Sequence, residues 1–236
     1  MTQTVVILAA GLGTRLGRPF PKPLTRLADG TSILERQQVL LRDCLGADVR
    51  LHVVVGFKME LVMEASPGCL FVYNEVFDST NTAKSLLRAL RASPDGPVLW
   101  LNGDVVFGSA VLDQIEPLVG GEESFICVFP GDVGAEEVTY LVDDQGCIAG
   151  IGKELAGGLG EAIGINYVSA RDKGRLIEGL ERCADSDYFE QGIEFAIGDG
   201  ARFRALDIGV GSAVEVDVEE DLVRANTLAS SPLIDP

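Results

Sequence analysis

Apolar residues fall in short continuous blocks separated by longer stretches with helical spacing. The blocks Val5 to Ala9, Leu51 to Val55, Leu70 to Tyr73 and Val98 to Leu101 read as strands buried on both faces. Between them, Ile33 to about Leu45 reads as a helix; Ser32 is its cap and Glu35, three residues on, completes a capping box. A short helical stretch covers Lys58 to Ala65. Another helix starts at Asn81 or Thr82 and runs through Arg91, where Pro94-Asp-Gly-Pro97 ends it. This alternation predicts an α/β fold with a doubly wound, mostly parallel mixed sheet, in which sites gather beyond the C-terminal strand ends.

After Val111 to Leu118 the pattern changes. Phe125 to Phe129 and Val138 to Val142 read as strands, and Asp143-Asp-Gln-Gly146 as a hairpin turn into Cys147 to Ile151. A Gly-rich stretch from Gly150 to Gly164 precedes a strand from Ile163 to Val168. Helices are expected over Arg171 to Cys183, over 187–197 and from Glu219 to about Leu228, with strands near Phe203 to Leu206 and Ala213 to Val216. No repeat or linker interrupts the chain. It reads as one domain over 1–230 with a tail at 231–236.

With 236 residues, 47% of them hydrophobic and 23% charged, the chain has material for a sizeable core. Its formal net charge of −17 argues against nucleic acid or an anionic membrane surface as a partner. Cys44, Cys69, Cys127, Cys147 and Cys183 form no C-x-x-C pair, so free buried thiols in a reducing cytosol are expected. The N-terminus shows no basic leader and its apolar run is too short for a span, which predicts a cytoplasmic protein. The single histidine, His52, lies in a strand-like run and reads as structural, so histidine-based hydrolysis is not expected.

The chemistry concentrates near the N-terminus. After the first strand comes Gly11-Leu-Gly-Thr-Arg15, then Pro21-Lys-Pro-Leu24. Gly11 and Gly13 let backbone N–H groups approach phosphate oxygens with no Cβ in the way, and Arg15 and Lys22 bring positive charge to the same place. Arg15, Arg18, Lys22 and Arg26 are four of only 19 basic residues. A dinucleotide fingerprint is excluded because Leu16 stands where its third glycine belongs, and no P-loop string occurs. Asp104 lies just past the strand ending at Leu101, where a carboxylate points into the ligand crevice and can hold Mg²⁺.

The strings Leu8 to Leu16 and Pro21 to Leu24 closely resemble the signature of the nucleotidyltransferases that make nucleoside-diphosphate sugars and alcohols. Asn74 to Leu86, Ile151 to Leu155 and Gly160 to Ile165 resemble its phosphocholine and phosphonate cytidylyltransferase branch. The resemblance implies a Rossmann-like sheet of the GT-A type. Its nucleotide half would be 1–104 and its acceptor half 105–230. It implies nucleotide contacts from Leu8, Ala9, Ala10, Gly11, Gly13, Thr14, Arg15 and Lys22, with Asn81 and Ser85 near nucleotide or acceptor. It also implies Asp104 and Asp217 as ligands of Mg²⁺, with Glu215, two residues earlier on the same strand, as the backup.

The implied reaction couples CTP to a small phosphate or phosphonate, whose oxygen attacks the α-phosphorus and expels pyrophosphate. Arg15 and Lys22 would offset the developing charge. Glu161 and Glu190 are candidates for holding a cationic acceptor head, with Tyr188 beside Glu190. Tyr188 and Phe189 either touch the acceptor or pack on their helix, and Lys153 either meets the acceptor phosphate or caps a turn. Trp100 reads as core, which leaves little for an aromatic cage. A sugar-1-phosphate or inositol-1-phosphate acceptor is the alternative, and a non-catalytic nucleotide sensor a further one. A homodimer is open.

Overall fold

Six of the seven strands along the main sheet run in one direction, in the order β10-β6-β9-β4-β1-β2-β3. These strands are β1 (Thr4–Ala9), β2 (Arg50–Val55), β3 (Leu70–Tyr73), β4 (Val98–Asn102), β6 (Ser124–Pro130), β9 (Gly160–Val168) and β10 (Phe203–Asp207). Only β9 opposes its neighbours, β4 and β6. A hairpin of β7 (Thr139–Val142) and β8 (Ile148–Gly152) attaches to β9. The computed structural model describes residues 3–13, 16–131, 134, 137–153 and 155–230.

The continuous apolar runs are explained by cover on both faces. In β1, Val5, Ile7 and Ala9 face a core shared with α1 (Ile33–Leu45), α2 (Met59–Glu64) and α4 (Ser109–Ile115). Val6 and Leu8 face the opposite core, shared with α3 (Thr82–Ala92), α5 (Ala170–Arg182) and α6 (Phe189–Gly198). Successive side chains of a strand point to opposite faces, so a doubly covered strand must be apolar throughout. Trp100 is fully buried in the second core, edge-on to Phe189 with ring centroids 5.8 Å apart. His52 is buried in β2. All five cysteines are free; Cys127 and Cys183 are buried, but Cys44, Cys69 and Cys147 are half-buried, against the expectation of burial for all.

Two features depart from the sequence pattern. The strand expected from Ile163 begins at Gly160, because Pro130 and Phe129 pair with Gly160 and Glu161 across the sheet. The segment β5 (Val105–Phe107), with no strand expected there, pairs antiparallel with β11 (Ala213–Glu215) in a second, two-stranded sheet. Val106 of β5, Val216 and Leu222 of α7 (Glu219–Ala229) pack in a third core cluster there. This small sheet joins the end of the chain to the turn after β4. The Val216 N–H donates to the Asp104 carbonyl at 3.0 Å, which sets Asp217 alongside Asp104.

Candidate active site

A cleft of about 1400 Å³ opens where β1 and β4 end and β9 begins. All the expected site residues that the structure describes line it. Leu8, Ala9, Ala10, Gly11 and Gly13 come from the end of β1 and its loop, and Asp104, Glu215 and Asp217 from the turn after β4 and from β11 with the residues beyond it. Thr14 and Arg15 lie outside the described residues.

At the base of the cleft is Lys22, the first residue of a short 3-10 turn between two prolines. Its Nζ donates to Asp104 Oδ2 at 2.8 Å and to Asp217 Oδ1. Burial alone would pull this amine down. Asp104 and Asp217 outweigh that and hold it above the usual lysine range. Gly13 has φ +60°, and a Cβ there would lie 3.0 Å from Lys22 Cβ, so the Gly-rich loop folds directly onto the lysine stem.

Asn81 and Ser85 line the cleft but also hold the chain together. Asn81 caps α3 by accepting from the Thr82 N–H at 2.8 Å, and its Nδ2 donates to the Ser186 carbonyl. Ser85 is buried and accepts from Asn74 Nδ2 at 3.0 Å.

The far wall carries Glu161, Tyr188, Glu190 and Lys153. Lys153 Nζ sits over the Tyr188 ring, 5.2 Å from its centroid. Glu190 lies in the first turn of α6, and its Oε2 is shielded with no protein partner. Burial pushes Glu190 up to about 7, against the pull of its own backbone N–H and of Lys153. Burial and then Glu137 push Glu161 up to about 7, with Arg224 opposing. Glu215 accepts from the Gly164 N–H at 2.9 Å; burial, Asp104 and Glu161 push it up to about 8. Three carboxylates thus share a partly dehydrated wall and resist ionising together.

Reading by motif missed Asn102, Glu137, Asp221 and Arg224, all of which line the cleft. The Asp221 carboxylate accepts from the Asp217 and Val218 N–H groups, each at 2.9 Å, which fixes the backbone that presents Asp217. Arg224 pairs with Asp221 one turn along α7. The signal for Asp221 lay in the acidic opening of that helix, which reads equally as a favourable helix N-terminus.

Among the described residues, no group of three or more His, Cys, Asp or Glu side chains is arranged to hold a metal. Mg²⁺ needs fewer, since it takes one or two carboxylates and completes its shell with water and substrate phosphates. The Asp104–Asp217 pair fits that role, because both carboxylates already converge on one cation, the Lys22 ammonium.

Residues 5–164 match the MobA-like NTP transferase domain. The chain belongs to this family. It is a nucleotidyltransferase domain, and the Gly-rich loop after β1, the lysine after it and the carboxylate beyond β4 all fall inside the matched region. The chain is 40% identical over 120 residues to the CMP-5'-(3-aminopropyl)phosphonate synthase of Streptomyces rubellomurinus, covering 47% of this chain and 18% of that protein. It is 38% identical over 103 residues to the bifunctional protein GlmU of Saccharophagus degradans, covering 43% of this chain and 22% of that protein. The matches thus span about a fifth of the length of these curated relatives. The fold matches that of the CTP:phosphocholine cytidylyltransferase of Streptococcus pneumoniae with a TM-score of 0.75 at 17% identity, over 97% of this chain and 100% of that one. No helix among the described residues is long and apolar enough to cross a membrane.

Proposed function

We propose that this nucleotidyltransferase transfers a cytidylyl group from CTP to a small phosphonate or phosphate carrying a cationic end, in a Mg²⁺-dependent reaction that releases pyrophosphate. One observation supports the choice of acceptor above the others: Glu161, Glu190 and Glu215 stand in the same cleft as Lys22, Asp104 and Asp217. Half-buried carboxylates held near neutral pKa gain most from a positively charged ligand. A neutral sugar would leave them short of charge compensation. The name of the relative at 40% identity joins CMP to an aminoalkyl phosphonate, which points the same way.

In this reading residues 1–104 carry the nucleotide and 105–230 most of the acceptor contacts. The Gly11–Gly13 backbone binds the triphosphate, and Arg15, from the same signature, adds positive charge for it. Asp104 and Asp217 would hold Mg²⁺, which would supply positive charge against the reacting phosphates. The acceptor arrives largely as a dianion near neutral pH, with a second pKa of about 6 for a phosphate ester, so no general base is required. Its oxygen attacks the α-phosphorus of CTP in line. A new P–O bond forms, the bridge to the β-phosphorus breaks, and its electron pair leaves with pyrophosphate. Lys22 neutralises charge on the leaving oxygens. Tyr188 and Glu190 hold the amine end. The free thiols suit a reducing compartment, and we place the reaction in the cytoplasm.

The test is pyrophosphate release with Mg²⁺, crossing CTP, UTP and dTTP with 3-aminopropylphosphonate, 2-aminoethylphosphonate, phosphocholine and glucose-1-phosphate. Release with CTP and a cationic acceptor is expected. Release only with glucose-1-phosphate would move the protein to the sugar nucleotides. Tight nucleotide binding with no release would make it a sensor.

A further inference from the structure

We infer that Lys22 is a tethered counter-cation for Asp104 and Asp217, so that it keeps free divalent metal out of the site until a triphosphate draws the lysine away. The inference rests on the proposed metal-binding role of the two carboxylates. The Nζ lies within hydrogen-bond distance of both carboxylates at once, and the Lys22 side chain is only 10% exposed. The ammonium therefore already occupies carboxylate oxygens that would hold the metal, and the two compete for them.

The backbone of Lys22 is held in place. Pro21 and Pro23 fix φ on either side of it, and the Leu24 and Thr25 N–H groups donate to the Pro21 and Lys22 carbonyls at 2.9 and 3.0 Å. Retreat is open to the flexible side chain alone. Gly13 packs against the base of its stem, which puts the glycine loop beside the lysine. A swing about the lysine torsions thus exchanges the carboxylate pair for phosphates held on the Gly11–Gly13 loop.

The tether decides the competition. An intramolecular ammonium competes at a high effective concentration and loses no translational freedom on binding. A hydrated Mg²⁺ must shed water to replace it. A metal–triphosphate complex changes the balance because the β- and γ-phosphates give Lys22 a second anionic partner as the metal takes the first. Metal and nucleotide then bind with positive coupling, each raising the affinity for the other.

The experiment measures Mn²⁺ binding to the full chain without nucleotide, by the loss of the free Mn²⁺ electron paramagnetic resonance signal. The proteins are wild type, Lys22→Met, Asp104→Asn and the Lys22→Met/Asp104→Asn double variant. Lys22→Met should bind roughly tenfold tighter than wild type or more, since the competent state is no longer masked, and the double variant should lose that gain. Equal Mn²⁺ affinity in wild type and Lys22→Met, abolished by Asp104→Asn, would leave the metal site standing and overturn the competition. No Mn²⁺ binding by any of the four proteins would overturn the metal role of Asp104 and the inference with it. If Lys22→Met is too weakly folded for titration, thermal melting replaces it. Mn²⁺ should then raise the Tm of the variant more than that of wild type at the same concentration, and an equal response in both overturns the inference. Pyrophosphate release by wild type answers separately for the proposed reaction.

Discussion

The Gly164 N–H, in β9, donates to Glu215 Oε1, in β11, at 2.9 Å. Asn102 Nδ2, at the end of β4, approaches the same oxygen at 3.3 Å. One carboxylate therefore ties three strands together under the cleft. There is no room for a side chain at 164: a Cβ would lie 2.7 Å from Glu215 Oε1 and 2.4 Å from Asn102 Nδ2. Gly164→Ala should force these groups apart and destabilise the fold by about 1–3 kcal/mol, the usual range for overpacking. A urea melt measures the loss. Glu215→Gln keeps an acceptor for the Gly164 N–H and should melt closer to wild type.

Asp104 has one oxygen on the Lys22 ammonium and its carbonyl on the Val216 N–H. Asp104→Ala removes only the first of these. The variant should keep its secondary structure by circular dichroism while pyrophosphate release falls by roughly 10²–10³ or more, as when a group stabilising the transition state is lost. Near-normal release would take Asp104 out of the metal site.

Lys22→Ala acts on two steps. It removes the ammonium that Asp104 and Asp217 share, and it removes a charge from the triphosphate. Turnover should fall by roughly 10²-fold or more and CTP should bind more weakly. Single-turnover kinetics beside equilibrium nucleotide binding separates the two. If neither changes, the loop assignment is wrong.

Glu190→Gln keeps the shape and removes the charge. KM for an aminoalkyl phosphonate should rise roughly tenfold, on the scale of about 1.5–3 kcal/mol for hydrogen bonds to charged groups. The affinity for CTP should stay as in wild type. An equal loss for both substrates would make Glu190 a structural residue.

The raised carboxylates also set a pH dependence. Glu161 and Glu190 are pushed up to about 7 and Glu215 to about 8, all above their unfolded values near 4.5. The folded state therefore holds extra protons between about pH 4.5 and 8. Their stabilising contribution is complete below the unfolded value and is lost as pH rises through the folded values. From pH 5 to pH 8, wild type should lose more Tm than the Glu161→Gln/Glu190→Gln/Glu215→Gln variant. An aminoalkyl phosphonate should recover part of the loss at pH 8. Parallel profiles for the two proteins would show that these groups do not carry the dependence.

Local signals proved readable wherever one short segment contained the whole cause. Ser32 and Glu35 form their capping box, with the Glu35 N–H donating to Ser32 Oγ and the Ser32 N–H to Glu35 Oε2. The apolar runs of β1, β2 and β4 lie where the pattern put them, because cover on both faces leaves few polar positions to blur it, the buried His52 of β2 being one. The pattern was weaker where partners are distant. The start of β9 is set by Phe129 and Pro130 across the sheet, and β5 is three residues long, too short to carry a periodic signal.

The sequence by itself determined the alternation that makes a doubly wound sheet, the glycines that open a phosphate loop at its C-terminal edge, and the supply of cations and carboxylates. Tertiary structure alone decided which charges meet. Lys22 finds its partners 82 and 195 positions along the chain, and no local pattern encodes such pairings. The same holds for the cleft carboxylates Glu161, Glu190 and Glu215, whose raised pKa values come first from burial. Burial is a property of β4, β9, β11 and α6 once they have packed together, because only then is water removed from around the carboxylates.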